Sequence, residues 1–225
     1  MTDDAPADVF IATPTYDGNV WTQYVNSLLQ TFIVLGQHGF ASSINFMGGN
    51  AMISFARAIM TQDFIDSGSK YLLFIDADVS WDPKGAARLI MSPHDVIAGV
   101  YPAKIEGPKP VFQTLNLRET GSQNLVETDG VPAGFLRISR KAVLKMKEAY
   151  PEQRCLYKNR EVHLLFEPII MHDGLPLGED YAFCERWRRT GGKVFIDPCI
   201  DFEHYGRKIY KGNMLDDSEG LKAIT

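Results

Sequence analysis

Tyr71-Leu72-Leu73-Phe74-Ile75-Asp76-Ala77-Asp78 is the stretch that decides how the rest of the chain reads. Its unbroken aliphatic and aromatic run fits a strand buried on both faces, as in the interior of a parallel sheet. Two aspartates then stand at the carboxyl end of that strand, the edge where open α/β sheets bind ligands. Carboxylates so close repel and raise each other's pKa. A hard divalent cation with a phosphate-bearing ligand relieves the conflict, because Mg²⁺ and Mn²⁺ prefer carboxylate oxygen and water. A local reason competes: aspartate is common at strand ends, and Asp82-Pro83 follows as a helix start.

Upstream, Val9-Phe10-Ile11-Ala12 reads as a first strand, ending in the polar loop Thr13-Pro14-Thr15-Tyr16-Asp17-Gly18. Apolar residues then recur at helical spacing from Trp21 to Leu35, and Gly36 and Gly39 end the pattern. Ser43 to Met47 is a second strand, Gly48-Gly49-Asn50 a turn, and about Ile53 to Ile65 a helix. Downstream of the aspartates come a short helix and a fourth strand, Asp95 to Val100. This alternation predicts a parallel sheet with right-handed crossovers.

Beyond residue 100 the texture changes. Pro102, Pro108, Pro110, Gly121, Gly130 and Pro132 punctuate short alternations typical of hairpins and loops. Ser139 to Tyr150 and Glu179 to Thr190 read as helices, and Val194-Phe195-Ile196 as a strand after Gly191-Gly192. Without a repeat or a low-complexity linker, residues 1–225 are expected to form one α/β domain. Its halves would be about 9–100 and about 101–206, with 207–225 as a C-terminal tail.

Composition narrows the function classes. Of 225 residues, 45% are hydrophobic and 23% charged, ordinary for a globular protein with a substantial core. A formal net charge of −5 without any Lys/Arg run argues against a nucleic-acid-binding surface. Arg186, Arg188 and Arg189 form the tight basic group, read as a solvated helix face. Cys155, Cys184 and Cys199 show neither CxxC nor zinc spacing, which suits a reducing compartment. The polar, acidic first eight residues are no signal peptide, and no apolar stretch is long enough to span a membrane. A cytoplasmic protein is expected, with peripheral association to a membrane left open.

Taken together, these pieces resemble the GT-A family of nucleotide-sugar-dependent glycosyltransferases, over residues 13 to about 206. Thr13-Pro14-Thr15-Tyr16-Asp17 resembles the family's first nucleotide-contacting loop, and Phe74-Ile75-Asp76-Ala77-Asp78 its DxD motif. Gly178-Glu179-Asp180 is similar to the acidic motif that supplies the base in inverting members. His204 sits where many members place a C-terminal metal-binding histidine. The resemblance implies a GT-A-type, Rossmann-like domain with a mostly parallel central sheet flanked by helices. A smaller mixed or antiparallel portion would serve the acceptor.

The resemblance also assigns roles. Asp78 would ligate Mn²⁺ or Mg²⁺ directly, Asp76 would contact the ribose or the outer shell of the ion, and His204 would complete the shell. Thr13, Thr15, Tyr16, Asp17 and Ala77 would contact the nucleotide, with Tyr16 stacking on the base. Arg57 would reach the diphosphate or sugar, since guanidinium donates two parallel hydrogen bonds; a salt bridge to Asp63 or Asp66 is its local alternative. Gly134, in Val131-Pro132-Ala133-Gly134-Phe135-Leu136, would let the backbone approach the sugar. One departure stands out: the second strand ends without the carboxylate that many relatives aim at the base. Asn50 is the substitute offered, and the base stays open.

Inverting transfer needs a base for the acceptor hydroxyl, and a tuned carboxylate suits the task. Asp180 is the choice, with Glu179 as the alternative; acids in a helix's first turn also have a dipole reason to be there. The expected reaction moves a sugar from a nucleoside-diphosphate donor to a hydroxyl of a glycan, lipid-linked or protein acceptor. Trp81 and Trp187 are expected in the core, and His163 and His172 in loops. Rival readings are a nucleotidyltransferase acting on sugar phosphates, a metal-dependent hydrolase, and a non-catalytic nucleotide-sugar or glycan-binding module. The first wants a glycine-rich basic loop after strand one, which Thr13–Asp17 lacks. The second places its aspartates near the N-terminus.

Overall fold

The computed structural model describes residues 5–120, 125–206 and 208–214. Gly121, and residues 207 and 215–225 of the expected tail, lie outside them. In chain order the first strands are β1 (Val9–Thr15), β2 (Ser42–Gly48), β3 (Tyr71–Ile75), β4 (Val79–Trp81) and β5 (Val96–Ala98). Next come β6 (Arg118–Glu119), β7 (Val126–Thr128), β8 (Phe135–Ser139), β9 (Arg154–Tyr157) and β10 (Arg160–His163). The last are β11 (Ile169–Ile170), β12 (Pro176–Leu177), β13 (Val194–Ile196), β14 (Phe202–Tyr205) and β15 (Ile209–Gly212). The helices are α1 (Thr22–Gln37), α2 (Ile53–Ser67), α3 (Pro83–Met91), α4 (Arg140–Ala149) and α5 (Glu179–Arg189).

The central sheet has the order β2-β1-β3-β8-β5-β13-β7-β6. β1 pairs parallel with both β2 and β3, and β13 pairs parallel with β5. β8 runs antiparallel between β3 and β5, and β7 runs antiparallel to β13 and β6. All strands but β7 and β8 therefore point one way, so the sheet is mixed and mainly parallel, as the alternation implied. The position of β8 could not be seen in the local pattern, because its partners lie far away in sequence.

β3 explains the sheet's depth. Leu72 and Phe74 face one layer of the core, with Met60 and Phe64 of α2 and Phe183 and Trp187 of α5. Leu73 and Ile75 face the other, with Tyr24 and Leu28 of α1 and Leu89 of α3. All four β3 side chains are fully buried, and each such burial contributes about 1.5–3 kcal/mol. That is enough to hold a strand whose end carries two carboxylates. Asp82 caps α3 by accepting from the Lys84 amide at 3.1 Å, with Pro83 in the first turn.

Three local expectations change. Arg186 is buried, not solvated: its guanidinium donates to the Leu165 and Glu167 carbonyls at 3.0 and 2.6 Å. Arg188 and Arg189 do lie on the outer side, paired with Glu185. His163 ends strand β10 and is buried, whereas His172 stays in a turn. Within the expected tail, residues 209–212 form β15, which with β14 and β4 makes a small sheet, β15-β14-β4. Trp81 and Trp187 are core residues, as expected, and each indole N–H is satisfied, by Thr31 and by the Lys193 carbonyl.

Candidate active site

Where β3 ends, its backbone is tied from both sides. The Asp76 amide donates to the Gly134 carbonyl at 2.9 Å, extending the β3–β8 ladder by one residue. The chain then turns through Ala77 and Asp78 into β4, which pairs with β14 in a register that sets His204 opposite Val79. The Tyr205 amide also donates to the Asp78 carbonyl at 2.8 Å. That register brings His204 Nε2 to 3.5 Å from Asp78 Oδ1, across more than a hundred residues of chain.

The tautomer of His204 follows from its other nitrogen. Nδ1 lies 2.8 Å from the Pro102 carbonyl, which can only accept, so Nδ1 carries a proton. Nε2 must then face the Asp78 carboxylate either as a second N–H or as a lone pair, and the latter is repulsive without a cation between. Lys104 Nζ meets the other oxygen of the same carboxylate, Oδ2, at 2.5 Å. Burial raises the Asp78 carboxyl, but the His204 and Lys104 contacts outweigh it and hold the group below its ordinary value.

Asp76 faces a different set. Its Oδ1 accepts from Arg57 Nη2 at 3.1 Å and its Oδ2 from the Tyr101 hydroxyl at 2.9 Å. Arg57, on α2, is buried with its guanidinium over the Phe74 ring, 5.2 Å from the centroid. Its Nε stands 3.7 Å from Asp180 Oδ1. Burial lowers the arginine's proton affinity, but Asp76 and Asp180 outweigh that and raise it. Asp180 is the reverse case. Burial pushes its carboxyl up to about 7, Arg57 opposes the rise, and Glu179 and Asp76 add to it. Arg57 Nε and Nη1 and Asp180 Oδ1 are buried without a hydrogen-bond partner. Buried polar atoms without a partner are uncommon in folded proteins, and three of them meet at this one place.

A cleft of about 770 Å³ opens over these groups, bounded by Asp76, Asp78, Glu179 and Asp180, with Arg57 at its floor and Trp21 at its wall. Ala77 lines it too, its carbonyl accepting from the Trp21 amide at 3.2 Å. So does Asp17, whose Oδ1 also accepts from the Asn19 amide at 3.0 Å, the local turn role open to any aspartate there. Tyr16 is 77% exposed beside it. Thr13 and Thr15 end β1 but point away: the Thr13 hydroxyl meets that of Tyr24, and the Thr15 hydroxyl donates to the Met47 carbonyl. Asn50 Oδ1 accepts from the Met52 amide just before α2. Gly134 backs the site: a Cβ there would overlap the Tyr101 hydroxyl and the Asp76 carboxylate.

Asp63 and Asp66, the local alternative for Arg57, pair with Arg160 instead. Sequence reasoning missed Trp21, Tyr101 and Lys104. Trp21 read as the first residue of a helix; it is 42% exposed and stacks on Tyr205 with centroids 5.0 Å apart. Tyr101 and Lys104 stand in an irregular proline-rich segment that carries no periodic signal.

No protein-family model matches this chain, and no curated protein sequence does. Solved structures do. The crystal structure of A197 from STIV superposes with a TM-score of 0.54 at 16% identity, covering 91% of this chain and 94% of that one. GalNAc-T7, crystallised with UDP, GalNAc and Mn²⁺, gives a TM-score of 0.51 at 12% identity and covers 91% of this chain. The fold is GT-A-like. This chain spans 45% of the GalNAc-T7 chain, and at such identities the likeness is one of architecture.

Among the described residues, no helix is long and apolar enough to cross a membrane, and no three His, Cys, Asp or Glu side chains converge as a metal cluster.

Proposed function

We propose that this protein is a divalent-metal-dependent glycosyltransferase that takes a sugar from a nucleoside-diphosphate donor and passes it to a hydroxyl acceptor with inversion. One observation carries the reading. A single cleft at the carboxyl edge of β3 is lined by Asp78, whose carboxylate faces the His204 imidazole, and by Asp180, whose Oδ1 is buried without a hydrogen-bond partner. The two sites divide the work that such a transfer requires.

Asp78 and His204 fit a metal ion as a partial shell. Two protein ligands leave room for phosphate oxygens and water, as Mg²⁺ sites on nucleotides usually do, and the imidazole favours Mn²⁺. The Nδ1–H bond to Pro102 is the support a ligating histidine normally has. Bound there, a divalent cation supplies charge neutralisation to a departing diphosphate. Asp76 lies one residue back, its oxygens held by Arg57 and Tyr101, and serves the ribose or the ion's outer shell.

Asp180 Oδ1 accepts the proton of the acceptor hydroxyl as that oxygen attacks the anomeric carbon. A carboxyl near 7 keeps enough basicity for this while still being ionised in an appreciable fraction at neutral pH. Arg57 stabilises the ionised form and leaves Nε and Nη1 free for an oxygen of the donor. Glu179 borders the same cleft, and its charge raises Asp180. Trp21 and Tyr16 offer flat surfaces for a base or sugar ring, and Asp17 a hydrogen-bond acceptor. GalNAc-T7 binds UDP, GalNAc and Mn²⁺, so uridine donors head the list to try, ahead of guanosine and thymidine ones.

The test mixes the protein with UDP-, GDP- and dTDP-sugars and Mn²⁺ and follows release of free nucleoside diphosphate, with and without hydroxyl acceptors. Slow release of one diphosphate without acceptor is expected, lost in Asp78→Asn together with metal-dependent nucleotide binding. Asp180→Asn should keep binding and lose transfer. Binding without release under every condition would favour a non-catalytic module instead.

A further inference from the structure

Within four consecutive residues outside the predicted motifs, Tyr101, Pro102 and Lys104 each touch one side chain of the proposed metal corner: Asp76, His204 and Asp78. Tyr101 donates its hydroxyl to Asp76 Oδ2 at 2.9 Å. The Pro102 carbonyl accepts from His204 Nδ1 at 2.8 Å. The Ala103 amide donates to the Val111 carbonyl at 2.7 Å, pinning the strap to the next turn of the loop. Lys104 then lays its stem over Gly206, where a Cβ would come within 3.1 Å of Lys104 Cδ, and places its ammonium 2.5 Å from Asp78 Oδ2. One oxygen of Asp78 therefore faces the imidazole and the other faces a lysine.

From this geometry we infer that Lys104 is a tethered cation that competes with the divalent ion for Asp78. The inference rests on the assignment of Asp78 as a metal ligand. The ammonium holds Oδ2 of the same carboxylate whose Oδ1 an ion shared with His204 Nε2 would use, and its positive charge repels a second cation in that corner. Charge repulsion from a bound ion would drive Lys104 away, and its four-carbon stem is flexible and its side chain a third exposed, so it can swing into solvent. Tyr101 and Pro102 do not need to move with it, because their partners are Asp76 and His204 Nδ1. The ion-free protein thus keeps its acidic corner neutralised, and the ion enters by exchange for the ammonium. Bare Mn²⁺ should bind weakly for that reason.

Titration of Mn²⁺ alone, read from the electron paramagnetic resonance signal of the free aquo ion, tests this without any assay of activity. Lys104→Met removes the charge and keeps most of the stem. It should bind Mn²⁺ about three- to five-fold more tightly than wild type, the range set by what a part-exposed ion pair is worth. Lys104→Arg keeps a cation and should stay within two-fold of wild type by the same reasoning. Equal or weaker binding by Lys104→Met, while Asp78→Asn abolishes binding, would overturn the competition and leave the metal site standing. Undiminished binding by Asp78→Asn, or no binding by either wild type or Lys104→Met, would overturn the metal assignment itself.

Discussion

Asp180→Asn separates stability from catalysis at one position. The native carboxyl stands at about 7, against 3.8 for an unperturbed aspartate, with burial as the main cause. Below 3.8 the folded and unfolded chains are both protonated there, and the group is neutral to folding. Between the two values the unfolded chain ionises while the folded one keeps its proton, so stability falls as pH rises. Above about 7 the loss levels off at roughly 4 kcal/mol. Across the window from about pH 5 to about pH 8 this single group removes about 2–3 kcal/mol.

Asparagine has the same shape and no charge to desolvate. The Asp180→Asn variant should therefore gain about 2–3 kcal/mol on wild type over that window, with other titrating groups cancelling in the difference. Urea unfolding of both proteins at several pH values, without metal or nucleotide, measures it. A difference flat to within about 0.5 kcal/mol would refute the raised carboxyl and the assignment of base built upon it. The same substitution should abolish transfer, and wild-type kcat/KM should fall about tenfold per pH unit below 7.

Three further outcomes are expected. Gly134→Ala places a Cβ into the Tyr101 hydroxyl and the Asp76 carboxylate; it should destabilise by about 1–3 kcal/mol in urea unfolding and disturb donor binding more than other core alanines. Trp21→Ala removes a 42% exposed ring stacked on Tyr205; thermal-shift titration should show weaker nucleotide binding with the unliganded midpoint nearly unchanged. Arg160→Ala breaks pairs with Asp63 and Asp66 that hold the β9–β10 hairpin to α2. Because these groups are partly exposed at the surface, unfolding should register no more than about 1 kcal/mol, and activity should persist.

How far the sequence could be read follows from which signals are local. The run 71–75 announces a doubly buried strand because four consecutive apolar side chains follow Tyr71, and the structure buries Leu72 through Ile75 completely. α2, α4 and α5 appear near the expected boundaries because their stops are local: Gly68 caps α2, Pro151 follows α4 closely, and Gly191-Gly192 follow α5. The insertion of β8 between β3 and β5 depends on a pairing across some sixty residues, for which no local pattern exists. Arg186 illustrates the same limit: a helical arginine is read as solvated unless its partners, here two backbone carbonyls of a distant loop, are known. Among the site residues, Asp76, Asp78, Glu179 and Asp180 were legible because carboxylates at strand and helix ends are conspicuous. Tyr101 and Lys104 were not, since an irregular loop gives no clue to where its side chains point.

Asp76 and Asp78 differ in partner rather than in exposure, and that difference supports the proposed division of roles between them. Asp76 has each oxygen in a directional hydrogen bond, to a permanently charged guanidinium and to a phenol. Ligating an ion through Oδ1 would break the bond to Arg57, and ligating one through Oδ2 would break the bond to Tyr101. Asp78 is held by an ammonium on a flexible stem and by an imidazole nitrogen that a metal can use directly. Exchanging a lysine for a divalent ion there leaves no buried group unsatisfied. The physics of what each carboxylate would have to give up therefore favours Asp78 as the ligand and leaves Asp76 to orient Arg57, which in turn stands against the carboxyl of Asp180.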